Sequence, residues 1–193
     1  MPIRIGIPQA ESDFRQQILT RIEQAYLKLG YSPEFLPLPA ERRILLMKNG
    51  MLDADLFRIC QLDEAYPSLI VVNYPLSYLE LGAYSLNKAV LENWQQRPEL
   101  TISHVHGFKM AEQQQFSGTR ITVNNERQAF GLMLNGRVDI VLEDTQSVIE
   151  LINQNPDAYI SWQSVAVFEV CHVLQQSHRE LADSVLQQLQ QPH

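Results

Sequence analysis

The 193-residue sequence predicts an α/β protein of two lobes, each a small, mostly parallel sheet flanked by helices. Three observations lead there. A phrase occurs twice, as Leu46-Met47-Lys48-Asn49-Gly50-Met51-Leu52-Asp53 and as Leu132-Met133-Leu134-Asn135-Gly136-Arg137-Val138-Asp139. Each copy closes an apolar helix, turns on Asn-Gly where glycine adopts the left-handed conformation freely, and runs through an Asp into a strand-like segment. Around each copy, strand-like and helix-like stretches alternate, the order that parallel strands need because their connections cross over. Two lobes of this kind leave a cleft, and clefts are where small ligands bind.

Ile3 to Ile7 alternates apolar and polar residues as a strand does, and Ser12 or Asp13 can cap the helix that follows, whose stripe is Ile18, Ile22, Ala25, Tyr26 and Leu29. Gly30 ends that helix, Tyr31 to Leu38 is a second strand, Ala40 to Lys48 a second helix and Ala54 to Ile59 a third strand. Leu69 to Val72 and Ser77 to Leu86 are strand-like between prolines, and the passage between lobes is expected near Tyr84 to Lys88. The second lobe then reads as strand Thr101 to Val105, helix Gly107 to Gln115, strand Arg120 to Val123, helix Glu126 to Leu134, strand Val138 to Glu143 and helix Thr145 to Asn153. Tyr159 to Leu174 is β-rich and long enough to return, and Arg179 to Gln190 is a last amphipathic helix. The expected division is 1–86 with 170–193 for the first lobe and 87–169 for the second.

A hydrophobic content of 45% supports a sizeable core. The net charge of −7, with Lys and Arg scattered, argues against a nucleic-acid partner. No run of about 18 apolar residues is present for insertion into a membrane. Cys60 and Cys171 belong to no Cys-x-x-Cys pair, so no metal site is expected from them. Two buried free thiols are the plain reading, since free Cys is among the most buried residue types. A disulfide between them is the alternative, and it would indicate an oxidising compartment.

Pro39-Ala40-Glu41-Arg42-Arg43, Gly50 to Asp53 with its strand ending in Arg58, Tyr66-Pro67-Ser68-Leu69, Pro75-Leu76, Gly107 after a strand, Met133 to Asp139 and His178-Arg179-Glu180-Leu181-Ala182 together resemble the bacterial solute-binding proteins of family 3. The resemblance runs over nearly the whole chain and implies the type 2 periplasmic-binding-protein fold. It also implies a monomeric periplasmic receptor without a cofactor, whose signal peptide is absent from this sequence. Its ligand would be an amino acid or another small carboxylate, and its partner a membrane transporter or a sensor. Amino-acid-binding members often carry an aromatic residue after the first strand and a Thr-x-x-Arg element after the third. Here Pro8-Gln9-Ala10-Glu11 follows the first strand and the nearest arginine, Arg58, comes too early, which weakens the case for a free amino acid.

Ligands of open α/β sheets sit beyond the carboxyl ends of strands. That rule nominates Gln9, Glu11, Arg58, Tyr74 and Tyr78 in the first lobe, and His106, Gly107, Asn124 and Glu143 in the second. Arg58 could clamp a carboxylate with two parallel hydrogen bonds, or pair structurally with Asp55, Asp63 or Glu64. Gly107 opens an expected helix whose free N–H groups could hold an anion. Glu143 could recognise an ammonium group, whereas Asp144 beside Thr145 reads as a helix cap. His104 and His106 share one strand face without a third ligand, so hydrogen-bonded histidines are expected rather than a metal. Trp94 and Trp162, near the two passages between lobes, read as core packing, with an aromatic wall of the cleft as the alternative.

The two-lobe pattern also serves effector domains of LysR-type regulators, and enzymes such as a dehydratase, which would need a cleft carboxyl of raised pKa at Glu143 or Glu11. No Gly-x-Ser-x-Gly, Walker or dinucleotide motif occurs, and a non-enzymatic binding protein is the expectation.

Overall fold

The structure is a computed structural model that describes residues 1–191. The side chains of Asp63 and Glu64, and the terminal Pro192 and His193 counted into the first lobe above, lie outside the described residues. The chain divides into two compact units, Met1–Tyr78 with Glu169–His193, and Leu79–Phe168.

In the first unit the order is β1 (Pro2–Ile7), α1 (Asp13–Lys28), β2 (Ser32–Pro37), α2 (Ala40–Lys48), β3 (Ala54–Ile59), α3 (Leu62–Ala65) and β4 (Leu69–Val71). β1 pairs in parallel with both β2 and β3. Ser12 caps α1, its hydroxyl accepting the N–H of Arg15 at 3.1 Å. α1 buries Ile18, Ile22, Ala25 and Tyr26, and α2 sets Ile44 and Met47 against Leu52, Leu62, Leu69 and Val173. Gly6 in β1 is needed for this packing, because a Cβ there would stand 2.7 Å from Leu52 Cδ2 and 2.9 Å from Arg43 Cδ.

In the second unit follow β5 (Ser77–Ser85), 3₁₀ turns at Lys88–Leu91 and Trp94–Gln96, β6 (Thr101–Val105), α4 (Lys109–Glu112), β7 (Thr119–Val123), α5 (Glu126–Leu134), β8 (Ile140–Asp144), α6 (Ile149–Asn153) and β9 (Ser161–Gln175). β6 is parallel to β7 and β8, and β5 is antiparallel to β8. The core joins Tyr84, Ala129, Phe130, Met133, Val138, Val141, Val148 and Leu151. Trp94 is fully buried beside Phe116, whereas Trp162 is 49% exposed and stacks on Tyr84.

The later part of β9 lies in the first unit, antiparallel to β3 and β4, and α7 (Arg179–Leu189) ends the described chain with Val185 and Leu189 buried. Each unit thus has three parallel strands in the order second, first, third, with an antiparallel strand beside the third.

Four expectations are corrected. The first passage between units falls at Tyr78–Leu79, upstream of 86, because Leu81 to Tyr84 of β5 are already paired with β8. The helix expected from Gly107 to Gln115 shrinks to Lys109–Glu112, since the Arg120 guanidinium takes the carbonyls of Ala111 and Gln114 at 3.2 and 2.7 Å. The helix expected from Thr145 begins only at Ile149, because the Asp144 carboxylate accepts the N–H groups of Gln146 and Ser147 and holds a turn. Cys60 and Cys171 are not free thiols but a disulfide, made adjacent by the pairing of β3 with β9.

Candidate ligand-facing edges

The two Asn-Gly phrases build the same device in each unit. Gly50 and Gly136 have φ of 68° and 66° and reverse the chain after α2 and α5. The Asp that follows takes the backbone N–H at the start of the neighbouring strand, Arg4 for Asp53 and Thr101 for Asp139, each at 2.8 Å. This sets the third strand of each unit in register and places the carboxyl ends of its parallel strands at one edge. Asp53 also bonds Arg4 Nε at 3.0 Å and His178 Nε2 at 3.2 Å. Burial pushes its carboxyl up, but the hydrogen bonds from Arg4 and His178 outweigh that and hold it below its ordinary pKa.

At the first unit's edge, the segment from Pro8 to Glu11 is cinched from within. Arg15, buried, donates to Pro8 O at 2.9 Å and to Gln9 O at 3.4 Å, with Glu11 3.5 Å from its guanidinium. Gln9 and Glu11 keep exposed side chains. Arg58 takes the structural role of the two weighed for it: its Nε donates to Asp55 Oδ2 at 2.6 Å and its Nη2 donates to the carbonyl of Ala40 in the first turn of α2. Arg43 donates to the other Asp55 oxygen, so one wholly buried carboxylate joins two guanidiniums. Burial and the neighbouring Arg58 charge draw Arg43 down to about 9. A residue three places along a regular strand would face the opposite way, but the β3 register shifts between Asp55 and Arg58 and brings them together.

Tyr74 is tied elsewhere. Its hydroxyl accepts from Arg21 Nη2 at 3.0 Å, the Arg21 guanidinium lies over its ring, and Arg21 also donates to Leu189 O, so Tyr74 braces α1 and α7. Tyr78 is 61% exposed.

At the second unit's edge, His106 and Asn124 are exposed. Gly107 does not open a helix with free N–H groups. Its φ is 78°, and its N–H donates to Glu112 Oε1 at 2.8 Å while Lys109 Nζ donates to Glu112 Oε2 at 2.6 Å. Burial raises the Glu112 carboxyl, yet the Lys109 and Gly107 hydrogen bonds outweigh it and hold the group below its ordinary pKa. Asn125, beside Asn124, caps α5 by accepting the N–H of Gln128.

Glu143 is 4% exposed, and burial followed by the charge of Asp144 pushes its carboxyl well above the usual range. Its Oε1 accepts the N–H of Asp144 at 3.1 Å, so the buried carboxyl is engaged with its own neighbour. It pairs across the strands with Gly82, where a Cβ would stand 2.8 Å from the Tyr84 ring. His104 is buried, its Nε2 accepting from Arg120 and its Nδ1 donating to Val105 O, and burial lowers its pKa. Among the described residues, no group of three or more His, Cys, Asp or Glu is placed to hold a metal ion.

Arg15 and Glu112 are the polar residues of these edges that the sequence reading passed over. Glu11 and Arg15 at helical spacing, and a Gly followed five residues later by Glu, were the available signals.

No protein-family profile matches the chain, and no curated protein matches it in sequence. Solved structures match along almost its whole length. A structure described as a binding component of an ABC transporter from Wolinella succinogenes, complexed with lysine, has 14% identity and a TM-score of 0.77 over 97% of this chain and 88% of that one. The GluR0 ligand-binding core in complex with L-glutamate has 14% identity and a TM-score of 0.76, covering 98% and 90%. The VFT2 domain of Bordetella pertussis BvgS has 15% identity and a TM-score of 0.72, covering 97% and 86%. At these identities the likeness concerns the fold, and the chain has the type II periplasmic-binding-protein fold.

Proposed function

We propose that the chain is an extracytoplasmic solute-binding protein that takes one small polar solute for a transporter or a sensor. The observation that carries this reading is the shared fold over 97% and 98% of the chain with structures that hold lysine and L-glutamate. The Cys60–Cys171 disulfide supports an oxidising compartment, and no helix among the described residues is long and apolar enough to cross a membrane. Exposed Gln9, Tyr78, His106 and Asn124 are the side chains offered to the solute in this reading. Arg58 instead holds the first turn of α2 onto β3.

Binding is preferred to catalysis because Glu143, although it carries the raised pKa of a catalytic acid, is buried and engaged with its own backbone neighbour. A thermal-shift screen against amines, amino acids, small amides, polyols and carboxylates tests the reading, since a solute that binds only the folded protein raises its melting temperature.

A further inference from the structure

We propose that Glu112 is a specificity-determining residue: its carboxylate fills the anion seat at the carboxyl end of β6, so the solute presents no carboxylate or other oxyanion there and is recognised through neutral or cationic polar groups. This deepens the solute-binding reading and rests on it.

The seat is made of two donors that converge on one carboxylate. The chain leaves β6 and turns at Gly107, whose positive φ of 78° directs its N–H to Glu112 Oε1 at 2.8 Å. Lys109 Nζ reaches the other oxygen at 2.6 Å, so each oxygen has its own charge-assisted hydrogen bond. The three residues lie within six positions of chain, and the tether gives Glu112 an effective concentration in the millimolar range or above that a free anion has to match. A second carboxylate brought to the same place would meet the charge of the first.

The rest of the edge agrees. Asp144 spends its oxygens on Gln146, Ser147 N–H and Ser147 Oγ, and Glu143 is buried. What stays exposed are His106 and Asn124, which suit hydroxyl, amide or amine groups.

The test is a titration of the ¹⁵N-labelled protein with sodium acetate, read at the Gly107 amide. In the native protein that resonance is expected to respond only weakly and without saturating, whereas in Glu112→Ala acetate shifts it saturably with an apparent affinity at least tenfold tighter. Glu112→Gln, which keeps an acceptor but loses the charge, is expected to fall between the two and decides the matter if the alanine variant does not fold. Equal response of the native protein and the variants overturns the proposal, as does a Gly107 amide that ignores acetate in a folded variant. The titration needs no solute, so it is read separately from the solute screen: an empty screen with the expected acetate response defeats the functional reading and leaves the seat assigned.

Discussion

Asp53 and Asp139 do the same work in the two units, each accepting through Oδ2 the backbone N–H at the start of the neighbouring strand at 2.8 Å, from Arg4 and from Thr101. Each also donates its own N–H to the carbonyl of that same residue, at 3.0 and 2.9 Å, so one residue secures the strand by both of its ends. Asp139→Ala is expected to cost about 1.5–3 kcal/mol, the usual range for a hydrogen bond to a charged group. Asp53→Ala is expected to cost more, because Arg4 Nε and His178 lose a partner as well. Urea unfolding of the two variants checks the order.

Arg58→Ala is expected to destabilise the protein by about 3–5 kcal/mol, the usual cost of breaking one side of a buried ion pair. Asp55→Ala should cost at least as much, since it strands two buried guanidiniums. Equal stability of Arg58→Ala and the native protein in denaturant, accompanied by lost solute binding, would return Arg58 to the role of ligand anchor.

His172 is fully buried, its Nε2 accepting from Tyr26 Oη at 2.8 Å and its Nδ1 donating to Leu56 O at 3.1 Å. Burial pulls it down to about 4. The unfolded chain takes up this proton near pH 6.5, before the folded protein does, so stability is full above that value and falls as pH drops toward 4. The loss over that window is on the order of 3 kcal/mol. In His172→Gln, which keeps an acceptor for Tyr26, the pH dependence of the unfolding midpoint between 6.5 and 4 should flatten.

Two glycines should respond with opposite signs. Gly6→Ala puts a methyl 2.7 Å from Leu52 and 2.9 Å from Arg43 and should cost about 1–3 kcal/mol. Gly131→Ala lies inside α5 with no atom within 4 Å of the new methyl and should stabilise by about 0.5–1 kcal/mol. Paired thermal melts read both directly.

Much of the fold was legible because local patterns decide it. Ala40–Lys48, Ala54–Ile59, Thr101–Val105 and Glu126–Leu134 form as their periodicity indicates, and the doubled Asn-Gly-x-x-Asp phrase marks the two units before any coordinate is known. What failed depended on contacts that periodicity does not encode. Phe108, Met110 and Ala111 have the composition of a longer helix, but Arg120, on a different strand, takes the carbonyls at its end. Arg58 and Asp55 meet only because β3 shifts register, and Cys60 finds Cys171 only through the return of β9, 111 residues later. The state of the polar groups at these edges, Gly107 taken by Glu112 and Glu143 buried with its carboxyl pushed up, came from side-chain positions.

Binding of one small polar solute by the folded chain is read from its melting temperature across a solute panel held in large excess. A solute at 100 times its dissociation constant adds about 2.7 kcal/mol, which for a protein of this size raises the midpoint by about 5–10 °C. Such a rise is expected for one class of neutral or amine-bearing solutes and not for simple carboxylates. A panel that leaves the midpoint unchanged throughout, for protein shown by native mass spectrometry to carry no bound molecule, would contradict it.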